Sequence, residues 1–138
     1  MADYYAFIRT NYFGVTDKTK FMNVIASCRA EDNIKIFEHP NDPCKFAFGC
    51  YGNIYGIPDC EDDFENDIYE FYSELRDILI ENDAIIITEI GYEKMRYLTG
   101  ICTVITKQDI QFVNLCDKGV ELAGNMLQNP DFVTQMEY

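Results

Sequence analysis

The amino-acid sequence predicts one α+β domain spanning residues 1–138, with a ferredoxin-like β-α-β-β-α-β core extended by a C-terminal β-hairpin and helix. Three observations predict it. Segments with apolar residues at helical spacing are separated by segments that alternate with a period of two. Their order along the chain is strand, helix, two strands, helix, strand. A length of 138 residues with 48% hydrophobic composition suits one packed core, and no repeat or low-complexity linker divides it.

Tyr4 to Arg9 is rich in strand formers, and NYFGVTD continues or turns that strand. Thr16 is placed to cap a first helix over about Asp17 to Arg29, in which Phe21, Val24, Ile25 and Cys28 share one face. Ile34 and Ile36, then Phe46, Phe48 and Cys50, alternate with more polar neighbours. The intervening HPNDPC carries two prolines, so the pair reads as two strands joined by a loop. Gly49, Gly52, Gly56 and Pro58 mark the exit. Phe64, Ile68, Phe71, Leu75, Ile78 and Leu79 trace one stripe of a second helix ending near Asn82. Ala84 to Thr88 suits a buried strand. GYEKMRYLTG separates it from, or bends it into, a strand over Ile101 to Thr106, and Lys107-Gln108 turns the chain toward Ile110, Phe112 and Val113. Asp117 is placed to cap a last helix carrying Val120, Ala123 and Leu127, stopped by Asn129-Pro130.

The chain holds 24 acids against 11 Lys plus Arg, a formal net charge of -13. That field repels phosphates and anionic lipid, which argues against direct nucleic-acid or membrane binding and favours basic protein surfaces. The opening residues have no basic segment followed by an apolar core, and no apolar run approaches the ~18 residues needed to cross a bilayer, so a cytoplasmic protein is expected. The six cysteines are irregularly spaced and read as reduced thiols.

The charge is unevenly spread. Ten acids and one base, Arg76, lie between Asp59 and Glu81, a net of nine negative charges in 23 residues. Asp63, Asp67, Glu70, Glu74, Asp77 and Glu81 follow spacings of three and four that hold them in one helical stripe. Like charges at that spacing repel by a few tenths of ~1 kcal/mol per pair, and the acids in the second half also oppose the negative end of the helix dipole. One reading is a solvated face that keeps the chain soluble. The other is a docking face for a basic partner, with Tyr69 and Tyr72 interleaved as aromatic anchors. The segment with Tyr92, Lys94, Arg96 and Tyr97 is the most basic and aromatic patch. It reads either as a hairpin tip or as a second contact site.

Other chemistry has little support. His39, the only histidine, lies near Cys44 with Asp42 between them, but proximity in a Pro-rich loop is poor support for a nucleophile and base. Cys44, Cys50, Cys60 and His39 lack the paired spacing of zinc sites, and CEDDFEND lacks the glycine of a calcium loop. No catalytic residue, metal or cofactor is assigned.

NYFGVTD, ITEIGYEKMRYLTG, CTVITK and the ending NPDFVTQMEY together resemble a group of small acidic proteins carried by phages and conjugative elements of gut bacteria. The resemblance spans most of the chain and supplies context but no site residues. It implies an accessory protein of a mobile element, a setting that includes antirestriction and anti-CRISPR inhibitors acting as nucleic acid mimics. The expected function is a non-enzymatic inhibitor that binds a basic, nucleic acid-handling host protein, such as a nuclease of a defence system. The alternative is a regulatory interaction module, homodimeric through an exposed sheet edge.

Overall fold

The structure, a computed structural model, describes residues 4–58 and 64–136. The chain runs β1 (Tyr5–Thr10), β2 (Phe13–Gly14), α1 (Lys18–Ser27), β3 (Arg29–Ala30), β4 (Lys35–Glu38), β5 (Lys45–Tyr51) and β6 (Ile54–Gly56). It continues through α2 (Phe64–Ile78), β7 (Ile85–Glu93), β8 (Tyr97–Ile105), β9 (Ile110–Asn114) and α3 (Leu115–Met126). It is an α+β protein. The main sheet is antiparallel, in the order β4-β5-β1-β7-β8-β9, with β2 continuing β1 along the same side of β5. A second, two-stranded sheet pairs β3 with β6.

Both α1 and α2 lie on one face of the main sheet, because each turns an apolar stripe that water would otherwise solvate. Phe21 and Ile25 of α1 and Phe71, Leu75 and Ile78 of α2 join Ile8, Phe13, Phe46, Phe48, Ile85 and Ile105 in one core. Full burial of each such side chain contributes roughly 1.5–3 kcal/mol before chain entropy is charged against it. The rings interlock edge to face: Phe13 meets Phe21 at 5.7 Å and Phe48 at 6.1 Å, and Phe48 meets Phe71 at 5.8 Å.

Where β1 gives way to β2, the Asn11 side chain takes over from the backbone ladder. Its Nδ2 donates to the Ala84 carbonyl at 3.0 Å, and its Oδ1 accepts from the Ile86 N–H at 2.7 Å. The strand thereby leaves β7 without orphaning either group.

Several boundaries differ from the sequence reading. The cap of α1 is Asp17, whose Oδ1 accepts from the Thr19 and Lys20 amides; Thr16 instead directs its N–H and hydroxyl to the Ile78 carbonyl. Helix α1 stops at Ser27, because Arg29 and Ala30 pair with β6. Helix α2 stops at Ile78 rather than near Asn82: Leu79 bridges to Val15, and the Ile80 N–H donates to the Gly14 carbonyl. GYEKMRYLTG forms the expected hairpin tip, although the strands it separates reach further into it than the sequence reading placed them: each is nine residues long, with Lys94 at φ 50° in the turn. Asn114, not Asp117, caps α3, its Oδ1 accepting from the Asp117 amide.

Among the described residues, no helix is long and apolar enough to cross a membrane.

Candidate functional site

Helix α2 carries the predicted acidic stripe. At about 100° per residue, Glu70, Glu74 and Asp77 fall on one flank of the buried line Phe71, Leu75 and Ile78. That flank faces α1. Glu74 and Asp77 line a groove of about 340 Å³ whose other wall is Lys20, Asn23 and Ser27 of α1. Glu70 and Asp77 are exposed and Glu74 is half-buried. Burial pushes the Glu74 carboxyl above its ordinary pKa, and the charges of Glu70 and Asp77 push it further. None of these three enters a salt bridge among the described residues, where the ion pairs are Lys18–Glu38, Arg96–Glu93 and Lys118–Glu121.

The remaining members of the predicted stripe are placed differently. Glu81 is exposed but lies in the turn after α2. Asp67 is half-buried where β6 meets the helix: its carbonyl accepts from the Ile57 N–H at 2.9 Å, and its Oδ1 is buried with no hydrogen-bond partner among the described residues. Asp63 lies outside the described residues.

Tyr69 and Tyr72 alternate with the acids in sequence but not on the helix. They occupy the opposite flank, toward β8. Tyr72 hydrogen-bonds Thr103, and burial pushes its hydroxyl pKa up, with Glu89 adding to the shift. Tyr69 is exposed and meets the Tyr72 ring edge to face at 6.4 Å. The structure therefore unites Glu70, Glu74 and Asp77 and leaves the two tyrosines out of that surface.

The predicted second contact site belongs to a larger surface on the far side of the sheet. Register fixes its membership, since directly paired residues share a face. Tyr5 pairs with Tyr92, Phe7 with Tyr51 and Ile90, and Arg9 with Thr88. Phe37 and Lys35 of β4 stand beside Ala47 and Gly49 of β5. On β8 the matching residues are Leu98, Gly100, Cys102 and Val104, and on β9 Gln111 and Val113.

This open face is rich in exposed rings. Tyr5 stacks near Tyr92 at 5.7 Å, Phe7 meets Tyr51 edge on at 5.3 Å, and the Lys35 Nζ lies 5.1 Å over the Tyr51 ring. By register its strands carry three charges, Arg9, Lys35 and Lys45, and no carboxylate, whereas Glu38, Glu89 and Glu93 point to the helical side. Lys94 and Arg96 sit exposed at the β7–β8 tip beyond Tyr92, and the Tyr97 side chain lies outside the described atoms. At the other border, Leu115 of α3 packs over Gly100.

Sequence reading did not find this face, although β1 carried its signal. Tyr5, Phe7 and Arg9 alternate with the buried Ala6, Ile8 and Thr10, but both sets are largely apolar, so alternation alone does not say which faces water.

The His39 loop is built as a turn. His39 Nδ1 accepts from the Asn41 N–H at 3.1 Å, its ring meets Tyr12 edge on at 5.0 Å, and Asp42 Oδ1 accepts from the Cys44 N–H at 2.9 Å. The five described cysteines are free thiols; burial pushes Cys28 up to about 12 and raises Cys50 as well. Both stay protonated at neutral pH, which suits packing rather than nucleophilic attack. Among the described residues, no cluster of three His, Cys, Asp or Glu side chains is arranged to hold a metal ion.

Compared with protein-family models, with curated proteins and with solved structures, the chain matches none.

Proposed function

We propose that this chain is a non-enzymatic accessory protein of a mobile element that docks on a basic, nucleic acid-handling host protein, such as a defence nuclease, through the α2 flank bearing Glu70, Glu74 and Asp77. The observation that carries this reading is that the three carboxylates share one surface with no salt bridge among the described residues to neutralise them. A stripe kept only for solubility gains stability from interspersed bases, as i,i+4 pairs do elsewhere. This one retains mutual repulsion along a groove wall, which a cationic partner relieves on binding.

The fold reading is a ferredoxin-like core. Its support is the strand order β4-β5-β1-β7, antiparallel throughout, with α1 and α2 on one face and the β8–β9 hairpin added at the β7 edge. This scaffold holds the acidic flank on a rigid helix and not on a loop, and preorganisation of that kind lowers the entropy cost of binding.

The test is capture from lysate of a bacterium that carries defence nucleases. Wild-type protein should retain a nucleic acid-binding protein that is released both by raised salt and by an added oligonucleotide. The triple variant Glu70→Gln, Glu74→Gln, Asp77→Asn should retain none of it while keeping the wild-type circular dichroism spectrum. Equal capture by the variant, or a captured protein indifferent to the oligonucleotide, contradicts the proposal.

A further inference from the structure

Helices α1 and α2 cover one face of the main sheet; the other is left to solvent except at its β8 border, where Leu115 of α3 packs over Gly100. Large exposed apolar patches on a soluble domain mark interfaces, and the size of this one can be gauged. Tyr5, Phe7 and Tyr51 leave 54%, 53% and 55% of their surface exposed, and Tyr92 leaves 45%. With an aromatic side chain able to bury roughly 150–250 Å², these four rings supply on the order of 400 Å². Phe37, Ile86, Ile90 and Leu98, also exposed, bring the face near the roughly 800 Å² that each partner contributes to a standard interface.

Charge narrows the choice of occupant. A nucleic acid requires several cations per phosphate run, and the strands of this face offer Arg9, Lys35 and Lys45 on a chain of net charge -13. A second copy fits better. The strand residues of the open face include no carboxylate, and the nearest, Asp83, sits at its border where it accepts from the Gly14 N–H, so two copies that meet through the face hold their acidic α2 helices on opposite outer sides. The three cations on the face are attracted to the negative body of the other copy. A depression of about 390 Å³ floored by Phe7, Arg9, Thr88 and Ile90 gives the rings of a facing sheet somewhere to insert, and sheets pack face to face at about 10 Å by such interdigitation.

We infer that the protein is a face-to-face homodimer, joined through the open side of the sheet around Phe7, Tyr51 and Ile90, with the acidic α2 flanks displayed outward on both copies. This goes beyond the docking proposal, because it uses the opposite side of the molecule and holds whether or not α2 has a partner.

Sedimentation equilibrium tests it directly. Wild-type protein should run at twice the 16.0 kDa chain mass. Added salt should tighten the association, since it screens repulsion between two acidic bodies, the reverse of its effect on α2 docking. Phe7→Asp and Ile90→Asp, each placing a carboxylate at the centre of the face among strand residues that include none, should run as monomers. Both residues are exposed, so the variants should retain the wild-type circular dichroism spectrum. Phe112→Asp, on the helical side of the edge strand β9, should remain dimeric. A monomeric wild type overturns the inference, whether or not that monomer binds an oligonucleotide or another protein. So does a dimer dissociated by Phe112→Asp but not by Phe7→Asp and Ile90→Asp, which would locate the contact at the sheet edge.

Discussion

Lys107 donates from Nζ to the backbone carbonyl of Asp77 across 3.0 Å, tying the β8–β9 turn to the last turn of α2. The contact offsets a mismatch in the helix. Asp77 places a negative charge at the negative end of the macrodipole, and Arg76 is the basic residue in that turn. A cation on a C-terminal carbonyl contributes about 0.3–1 kcal/mol at an exposed site. Lys107→Met, which keeps the aliphatic stem, should lower unfolding free energy in urea by about that amount, and the loss should shrink as salt is added. Coincident unfolding curves at low salt contradict the role.

Glu74 carries a pH dependence of defined sign. Its carboxyl is raised in the folded state, by burial first and then by Glu70 and Asp77. A raised carboxyl means the folded chain binds the proton more tightly than the unfolded one. The ionised side chain therefore costs stability above the folded pKa, and that cost disappears below the unfolded value near ~4.3. Glu74→Gln should raise the melting temperature at pH 7, and the difference should fade as pH drops below about 4. A gain that persists unchanged in acid means that Gln stabilises for another reason.

What the sequence revealed of this molecule depended on whether a signal was local. The buried stripe of α2 was legible because Phe71, Leu75 and Ile78 repeat at helical spacing and the acids interrupt it on a fixed flank. The placing of Tyr69 and Tyr72 among those acids was not sound: neighbours in sequence stand about 100° apart around the axis, and Tyr69 next to Glu70 points to the other side. The two-residue β3 and three-residue β6 have no period to read; they exist because Arg29–Ala30 and Ile54–Gly56 are brought together by the fold. The choice of Asp17 over Thr16 as cap was likewise tertiary, settled by the Ile78 carbonyl that occupies Thr16. The open face remained hidden because its rings are as apolar as the core beneath them.

Asn11 bridges a break in the sheet, and its two hydrogen bonds to β7 can be separated chemically. Asn11→Ala removes both, leaving the Ala84 carbonyl and Ile86 N–H to water at an exposed site. At about 0.5–1.5 kcal/mol per neutral bond, the loss of the two should be about 1–3 kcal/mol. Asn11→Asp keeps the acceptor for Ile86 but replaces the donor to Ala84 with a second oxygen. Hydrogen exchange should therefore speed at the Ile86 amide in Asn11→Ala and change little in Asn11→Asp. Equal exchange in the two variants removes the assigned role of Oδ1.

Gly56 and Gly119 should respond to the same substitution in opposite directions. Gly56 ends β6 at φ +109°, and a methyl group there overlaps the Asp67 carbonyl, the group that accepts from the Ile57 N–H and seats β6 against α2. Backbone that L residues rarely adopt costs on the order of 1–3 kcal/mol, and the overlap with a helix carbonyl cannot be relieved by a side-chain rotation. Gly56→Ala should therefore destabilise by about 2 kcal/mol or more and expose the Ile57 amide to exchange. Gly119 lies inside α3 with nothing within 4 Å of the added carbon. Gly119→Ala carries only the helix-propensity gain and should stabilise by up to about 1 kcal/mol. Urea unfolding of the two single variants measures both. A tolerated Gly56→Ala shows that β6 does not need its close approach to α2, and a destabilising Gly119→Ala shows that this face of α3 is covered in solution.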